Sequence, residues 1–480
     1  MKPSPLSRGY LMLIALVFGA IFVTVFGALA GFVLTQNKLQ DEYAQQTRAF
    51  SLAEAGISYY RWFLSHFPGD AQNGTGSAGP YTFTLHNSSG DSLGTVSLAL
   101  SSASSCGQTG ALSITATGIA TGTPAYSQAL SGRLVEGSVA QYALAVNSSV
   151  WISGTETIQG AIHSNGGVRM DASANAPVES SLSTWNCTST YGCSPSVSSA
   201  PGVTGSGSNQ TFWSYPTRQI DFDRIASDFS TMKSVAESNG IYYPRVSTGN
   251  ATSSSSYWNG YHLIFNANGT VTVRKVTATT ALSVTPLQTV DGTTDHALLS
   301  GETTLETKTL PSNCGLIFIE DNVWIEGTIP AKVTLVAANN ASNNTIKPNI
   351  YLKNNLTYSA SDGSVGLTAI AANDVLITPD APTTLTLKGI FVAQSGSFGR
   401  NLYMNGGSCN SSYEPRGTLT LVGSVVSNTR TSTFWSGSCS GGNGGYASRS
   451  YTYDRLLSHT PPLFTPLTSL DYQLFDWTQG

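Results

Sequence analysis

The first 67 residues carry a long apolar stretch that passes without a break into an amphipathic one. From Gly9 to Asn37 no side chain is charged, and an apolar run of about 26 residues can cross a ~30 Å hydrocarbon core as a helix. Apolar residues then recur at alternating spacings of four and three from Leu39 to Leu64, which places them on one face of the same helix. The pattern predicts one helix over 10–67.

Beyond the helix, apolar and polar residues alternate with a period of two, which is typical of half-buried strands. Turns rich in Ser, Gly and Asp separate the first of these strands, and together they predict a small antiparallel β domain over 68–136. The strands expected in it are Tyr81–His86, Thr95–Ser101, Leu112–Thr117 and Tyr126–Leu134.

Two internal repeats mark the rest of the chain. Val150-Trp-Ile-Ser-Gly recurs as Val323-Trp-Ile-Glu-Gly, and a longer pattern with Gly before an alternating apolar run occurs three times. Short strands with single glycines at corners predict a parallel, right-handed β-solenoid, in which each coil buries its inward face on its neighbours. An antiparallel β-sandwich is the alternative. The three copies of the longer pattern are TETIQGAIHSN (155–165), TLTLKGIFVAQ (384–394) and TLTLVGSVVSN (418–428).

The spacing of the repeats divides this region into four parts. In sequence order, we expect the first solenoid coils, then a loop-rich insertion, then the main solenoid, and finally a C-terminal cap. The cap is rich in aromatic residues and Pro, and the open end of a solenoid needs cover because it exposes unpaired strand edges. The expected bounds are 137–176 for the first coils, 177–310 for the insertion, 311–445 for the main solenoid and 446–480 for the cap.

Within the insertion, two local patterns predict regular structure. An apolar face ending at Gly240 predicts a helix over 220–239, with Asp221 or Asp223 in its first turn. Asn268-Gly269 predicts the turn of a hairpin over 261–276.

Composition narrows the functional class. Only 10% of the 480 residues are charged and the net charge is −4, so we expect no basic surface for nucleic acid. Gly, Ser, Thr and Asn are abundant, which fits an exported β protein. No P-loop, H-E-x-x-H or G-x-S-x-G motif occurs. We therefore expect no catalytic residues, no cofactor and no metal ion.

Acidic residues are the basis of a less favoured hypothesis, a glycan-active solenoid enzyme or a Ca²⁺ site. Enzymes of that class need clustered acids on one face, or acids beside Lys or Arg. Glu320-Asp321-Asn322 is equally a turn sequence. The candidate residues are Glu320, Asp321, Glu326, Asp374 and Arg400.

The six cysteines predict disulfides, because an even number is typical of exported proteins. Cys187 and Cys193 flank a short loop and are expected to pair locally. Cys409 and Cys439 lie in two Gly/Ser loops that flank one strand. Cys106 and Cys314 remain as a third pair, and six free thiols are the alternative.

Aromatic residues in polar loops suggest a binding surface for a glycan or a protein. The alternative is that they pack the insertion onto the solenoid. The residues of this predicted surface are Trp185, Trp213, Tyr215, Tyr257, Trp258 and Trp435.

The N-terminal pattern resembles the spine of type IV pilins and pseudopilins, particularly the PilX-type minor pilins. The residues that carry the resemblance are Ser-Arg-Gly-Tyr at 7–10, the apolar run, and Arg-Ala-Phe-Ser-Leu-Ala-Glu-Ala-Gly-Ile at 48–57. It implies a leader peptide over 1–9, which a prepilin peptidase removes by cutting between Gly9 and Tyr10. The region after the helix is similar, more loosely, to solenoid domains of bacterial surface proteins.

One residue departs from the pilin pattern. Major pilins carry Glu at the fifth mature position, where it pairs with the N-terminal amine of a neighbouring subunit, and here that position is Ile14. A buried amine without a partner is costly. The resemblance therefore implies a subunit that suits a filament tip better than the filament interior.

The sequence thus predicts a non-enzymatic minor pilin-like subunit that displays a β-solenoid for pilus assembly and adhesion. Its expected partners are the inner membrane, other pilins through the helix, the prepilin peptidase, and a glycan or protein ligand. It is expected as an N-in/C-out membrane precursor and then at the cell surface or in an extracellular pilus. The alternatives are a membrane-anchored adhesin outside any pilus, a glycan-active β-helix enzyme and, for the first segment alone, a cleaved signal peptide.

Overall fold

The described part of the chain forms one long helix followed by mostly β structure, as the sequence predicts. Its sheets are mixed. The computed structural model describes residues 7–106, 108–122, 125–222, 228–248, 255–287, 293–340, 347–439 and 442–479. The helices are α1 (Ser7–His66), α2 (Phe229–Asn239) and α3 (Arg455–His459).

The strands are numbered in chain order. The first sixteen are β1 (Tyr81–His86), β2 (Ser92–Ser105), β3 (Gln108–Ala120), β4 (Ser127–Ser138), β5 (Tyr142–Val146), β6 (Val150–Ile152), β7 (Glu156–Gln159), β8 (Ala161–Ser164), β9 (Val168–Met170), β10 (Val178–Ser180), β11 (Thr184–Cys187), β12 (Val197–Pro201), β13 (Val203–Thr204), β14 (Trp213–Ser214), β15 (Ile241–Tyr243) and β16 (Gly260–Asn266). The others are β17 (Thr270–Thr285), β18 (Thr294–Thr309), β19 (Leu316–Ile319), β20 (Asn322–Ile329), β21 (Lys332–Ala337), β22 (Ile350–Tyr358), β23 (Gly366–Ala371), β24 (Val375–Ile377), β25 (Thr384–Ala393), β26 (Phe398–Gly399), β27 (Leu402–Asn405), β28 (Ser408–Cys409), β29 (Arg416–Ser427), β30 (Phe434–Cys439), β31 (Gly442–Thr452) and β32 (Leu467–Gln479).

The chain divides into two compact units. The first comprises residues 1–102, 112–134 and 472–480, and the second comprises 103–111 and 135–471.

In the first unit, the second half of α1 packs on a sheet with the strand order β1-β2-β3-β4-β32. The pairs β1–β2 and β3–β4 are antiparallel. Ala49, Ala53 and Tyr60 are fully buried in this contact. The sheet approaches the helix closely because Gly118 has no side chain: a Cβ there would lie 2.6 Å from the backbone nitrogen of Ala53.

The predicted amphipathic face of α1 is buried only in part. Ile57 and Leu64 pack against the sheet, as the spacing predicts. Leu39 and Tyr43 are 43% and 71% exposed, because the buried contact with the sheet begins only at Ala49. Periodicity located the face correctly but could not show where along the helix its partner begins.

In the second unit, parallel strand pairs run in long series. One series places β14, β10, β8, β5, β29, β25, β23, β21, β19 and β15 side by side in that order. A second series follows β7, β31, β29, β25, β22, β20 and β16. The shorter series are β26, β24 and β22, and β13, β9 and β6.

Two copies of the longer repeat pair with each other residue by residue. Thr384 lies opposite Thr418 and the register holds without a shift to Ala393 opposite Ser427. The repeat glycine has a positive φ in all three copies, 136° at Gly160, 155° at Gly389 and 134° at Gly423, a backbone conformation that favours glycine. The repeat therefore specifies both a strand register and a corner.

The order of the strands in space differs from their order in sequence. β5 leads through β8 and β10 to β14 at one end of the first series. The chain then reappears at the opposite end in β15, and later strands run back until β29 pairs with β5 and β31 with β7. Strands from the beginning and the end of this unit are therefore neighbours.

The segment 177–310 differs from the predicted insertion, because β10, β15 and β16 continue the parallel series. Its hairpin is present as β16 and β17, and β17 continues into a second antiparallel pairing with β18. Within the described residues, its helix begins at Phe229, where the Asp228 side chain accepts hydrogen bonds from the backbone of Ser230 and Thr231. Gly240 follows the helix as expected, while Asp223 lies outside the described residues.

The C-terminal segment differs from the predicted cap. β32 completes the first unit's sheet beside β4, which covers an edge that would otherwise be unpaired. Before it, Leu457, Leu463 and Phe464 pack against outward-facing apolar residues such as Val336 and Ile370. These residues therefore cover a face of the parallel strands β21 and β23, whereas the sequence predicted a cap over the end of the last coil.

Candidate functional site

The first half of α1 is a candidate membrane-spanning segment. Its most apolar 18-residue window has a mean hydropathy of 2.6 and none of it is buried by the described protein. The Thr24 hydroxyl donates to the Ile21 carbonyl and the Thr35 hydroxyl to the Gly31 carbonyl, so the helix itself satisfies these polar groups. By length and composition this segment can cross a membrane, which fits membrane anchoring.

The residues of the predicted processing site lie at the start of this helix. Gly9 and Tyr10 are both in the first turns of α1, and the Tyr10 side chain is exposed. Ile14 is on the next turn and is partly exposed. Cleavage between Gly9 and Tyr10 is not tested by the fold and stays a prediction.

A cleft of about 490 Å³ opens in the second unit where strands from the two ends of its sequence meet. Trp151, near the start of this unit, and Phe434, Trp435 and Tyr451, near its end, give the cleft an aromatic lining. Most of the remaining wall is formed by serine and threonine residues. Because β29 pairs with β5 and β31 with β7, the two sets of residues come together only in the fold.

Disulfide-closed loops form part of the walls of this cleft. Cys187 is bonded to Cys193, and the loop between them contributes Ser189 and Thr190 to the lining. The same loop lies flat on Trp151, since a Cβ at Gly192 would be 2.7 Å from the indole ring. Cys409 is bonded to Cys439, next to the lining residue Ser438. These loops are therefore restrained before any ligand arrives.

The third disulfide joins Cys106 to Cys314 across 208 residues of sequence. All three observed bonds connect the pairs suggested by the sequence.

One of the two arginines in the cleft is neutralised internally. The buried Arg449 guanidinium lies 3.0 Å from Glu156 Oε1 and also donates to Ser153 Oγ and to the Tyr446 carbonyl. It lies over the Phe434 ring, 4.4 Å from its centroid. Arg449 is therefore a structural cation that fixes the floor of the cleft.

The other arginine has a different environment. Arg430 lines the cleft and its guanidinium lies 5.9 Å from the centroid of Tyr191. Within the described residues it makes no hydrogen bond and no ion pair. The cleft therefore presents one positive charge that the described protein leaves uncompensated.

The predicted aromatic binding surface does not form. Trp185 and Tyr257 are buried, at 6% and 8% exposure, and the Trp185 indole donates to the Pro201 carbonyl. Trp213 packs against the main apolar core, and Trp258 stacks on His296 with 4.4 Å between the ring centroids. Large rings with one polar atom gain more from packing than from exposure.

The other two of the six predicted aromatic residues are placed differently: one is exposed to solvent and one lines the cleft. Tyr215 is exposed. Trp435 lines the cleft and donates its indole N–H to the Arg400 carbonyl. The prediction located one residue of the cleft, while Trp151, Arg430, Phe434 and Tyr451 were missed because nothing in the sequence shows that 150–156 and 430–451 meet.

Two of the candidate catalytic acids are held by structural partners. Glu320 accepts from Lys233 Nζ at 2.8 Å and from the Tyr242 hydroxyl at 2.7 Å. Asp321 is fully buried, accepts backbone hydrogen bonds from Val246 and Ser247, and has a raised pKa because burial disfavours its charged form.

Glu326 shares a buried histidine with Glu302. His262 Nε2 lies 3.0 Å from Glu326 Oε1, and His262 Nδ1 lies 2.8 Å from Glu302 Oε2. The hydrogen bond from His262 lowers the pKa of Glu326. For Glu302, burial opposes ionisation, but hydrogen bonds from His262 and Arg274 outweigh it and lower the pKa.

The other two candidates, Asp374 and Arg400, are also engaged. Asp374 Oδ1 accepts from the backbone of Ser397 at 2.6 Å. Arg400 is buried and donates to the carbonyls of Thr378 and Tyr413. The five candidate residues therefore serve local structure, and no group of three His, Cys, Asp or Glu side chains among the described residues could hold a metal ion.

No protein-family model matches the sequence, and no curated protein matches it. Among solved structures, the crystal structure of the competence-associated pilin ComZ from Thermus thermophilus is similar at 12% identity and a TM-score of 0.27, covering 91% of this chain and 98% of that chain. At so low a TM-score, this likeness establishes neither a shared fold nor a shared function.

Proposed function

We propose that this chain is a minor type IV pilin-like subunit, without catalytic activity, that displays a β-solenoid outside the cell. One observation carries the proposal: a single helix has an exposed apolar first half and a second half packed on an antiparallel sheet. A pilin-like spine needs these two properties in one helix. The apolar half lies in the inner membrane before assembly and between other subunits after assembly. The other half belongs to the first compact unit, where it packs on the sheet.

The N-terminal residues support the same assignment. Ser-Arg-Gly-Tyr at 7–10 precedes the apolar run, and we propose that a prepilin peptidase cuts between Gly9 and Tyr10. The peptidase, the inner membrane and other pilins are then the partners of the N-terminal segment, and residues 1–9 are its leader.

The parallel strands of the second unit support the solenoid part of the proposal. Asn147 Nδ2 donates to Asn428 Oδ1, and Asn165 Nδ2 donates to Asn147 Oδ1, at 2.8 and 2.7 Å. These residues follow the paired strands β29, β5 and β8, so the three amides form a ladder across successive turns of the chain. Side-chain ladders of this kind stabilise stacked, in-register strands.

The inward-facing residues of the repeat support it as well. Leu385 and Leu387 lie opposite Leu419 and Leu421, and all four are fully buried. We infer a right-handed solenoid. One of its coils is built from two distant parts of the unit: β5, from its beginning, and β31, from its end, both pair with β29 on one side. On the other side, β5 pairs with β8 and β31 pairs with β7.

We place the subunit at a filament tip, because Ile14 cannot supply the carboxylate that would pair with a neighbour's amine inside a filament. Purified filaments should contain very little of this protein relative to the major pilin, and immunogold against the second unit should label filament ends. Ile14→Glu should increase its entry into shafts, whereas the control Ile14→Leu should not.

Other labelling results would change the assignment. Uniform labelling along wild-type filaments would refute the tip position and leave the pilin-like assignment intact. Labelling of the cell surface with none on filaments would instead favour a membrane-anchored adhesin.

A further inference from the structure

We propose that the cleft between the first and last strands of the second unit binds a saccharide that carries a carboxylate. Its volume of about 490 Å³ lies within the range of ligand pockets, roughly 300–1,000 Å³. It combines an aromatic lining, free hydroxyl groups and one uncompensated positive charge. The inference concerns a binding site that is independent of incorporation into a pilus.

The uncompensated positive charge in the cleft favours a negatively charged ligand. Glu156 already neutralises Arg449, whereas Arg430 has no hydrogen bond or ion pair with any residue in the described part of the chain. A guanidinium presents five N–H donors in a planar fork that matches a carboxylate. The geometry therefore favours an anionic group at Arg430.

The polar lining favours a hydroxylated ring beside that group. The hydroxyls of Ser189, Thr190 and Ser436 make no hydrogen bond with the described residues, and all three side chains are exposed in the cleft. The Asn443 side-chain oxygen accepts from the Gly437 backbone, while its amide nitrogen has no described acceptor. These groups can exchange hydrogen bonds with the hydroxyls of a sugar.

The aromatic lining supplies the apolar part of the site. Trp151 donates its indole N–H to Asp171 Oδ2 at 2.8 Å, and Trp435 donates its own to the Arg400 carbonyl at 3.0 Å. Both indoles are therefore fixed in position, and both line the cleft. Carbon surface beside a few well-placed polar groups is the usual composition of a site for a small polar ligand.

The two disulfides that close loops of 6 and 30 residues make this site rigid. The loop closed by Cys187 and Cys193 holds two of the free hydroxyls and the Tyr191 ring beside Arg430. Cys439 holds the strand that carries Ser436 and Ser438. A preformed wall costs less entropy when a ligand binds, which suits a site that acts outside the cell.

The test compares an acidic and a neutral saccharide on the purified full chain in detergent. Trigalacturonate and galactotriose would be titrated by calorimetry in the presence of EDTA. We expect trigalacturonate to bind at least about tenfold more tightly, because a hydrogen bond to a charged group is lost with the neutral sugar.

Arg430→Gln should remove this preference, so that the two sugars bind with about equal affinity. Arg218→Gln is the control, because Arg218 is exposed and lies outside the cleft lining, and it should retain the preference. Equal binding of both sugars to the wild type, or an unchanged preference in Arg430→Gln, would overturn the proposal.

A triglutamate peptide provides the last arm of the test. If it binds as tightly as trigalacturonate, the cleft recognises charge without the sugar ring, and the assignment to saccharides is wrong. None of these results depends on cleavage of the leader or on the presence of filaments, so failure of this inference leaves the pilin-like assignment untouched.

Discussion

The in-register pairing of the two best repeat copies can be tested with one added methyl group. Gly423 has φ of 134° and lies opposite Gly389 on the neighbouring strand. In Gly423→Ala, the new Cβ would lie 2.7 Å from the Gly389 carbonyl carbon and closer still to its oxygen. These are backbone atoms within a paired strand, so they cannot move aside as a side chain can.

The expected cost has two parts. Placing an L-residue in this backbone region costs about 1–3 kcal/mol, and forcing an extra carbon into a packed site costs about 1–3 kcal/mol. The second unit has roughly 350 residues, which gives an unfolding entropy of about 0.7 kcal/mol per degree. Gly423→Ala should therefore lower the melting temperature of this unit by roughly 3–8 °C.

Substitutions at two other glycines separate the cost of the backbone conformation from the cost of the steric overlap. Gly437 has φ of 62° but no atom within 4 Å of an added Cβ, whereas Gly442 has open space and no positive φ. Gly437→Ala should cost about 1–2 kcal/mol, and Gly442→Ala should stay within about 0.5 kcal/mol of the wild type.

Tryptophan fluorescence on the purified full chain suits this measurement, because six of the eight tryptophans lie in the second unit. A melting temperature for Gly423→Ala equal to that of Gly442→Ala would refute the stacking of glycine on glycine. It would also refute the register derived from the repeat.

Three further changes probe separate parts of the second unit. Asp228→Ala removes the N-cap of α2 and should lower the free energy of unfolding by about 1 kcal/mol in urea titrations; an unchanged midpoint would contradict the cap. Replacing Cys106 and Cys314 with Ser opens a loop of 208 residues and should cost about 5 kcal/mol, while alkylation of Cys106 and Cys314 in the unreduced wild type would exclude the bond. The two carboxyls beside His262 have lowered pKa values, so their stabilising effect is present above about pH 4.3 and is lost as the pH falls further; His262→Gln should flatten this acid dependence, and an unaltered profile would contradict it.

The long-range order of the second unit could not be predicted from the sequence. The repeat copies at 384–394 and 418–428 indicated stacked strands because their apolar spacing and corner glycines agree. The pairing of β31 with β7 has no such signal, since it joins Arg449 to Glu156 across nearly 300 residues of unrelated sequence. Local periodicity predicts an element, but it does not specify which distant element lies beside it.

The candidate site was missed for the same reason. Trp151 was visible only as part of a short repeat, and Arg430 as one arginine in a Ser/Thr loop. Their significance arises when the loop closed by Cys187 and Cys193 is placed between them. The predicted aromatic surface failed because residue type alone does not separate a packed ring such as Trp185 from an exposed one.

The central claim, that the N-terminal helix is a pilin-like spine, is tested most directly by the intact mass of the protein recovered from its native membrane or cell surface. We expect a mature chain that begins at Tyr10, and Gly9→Leu should abolish this processing. A wild-type protein that retains residues 1–9 would contradict the claim, and a cut well beyond Tyr10 would show an ordinary signal peptide.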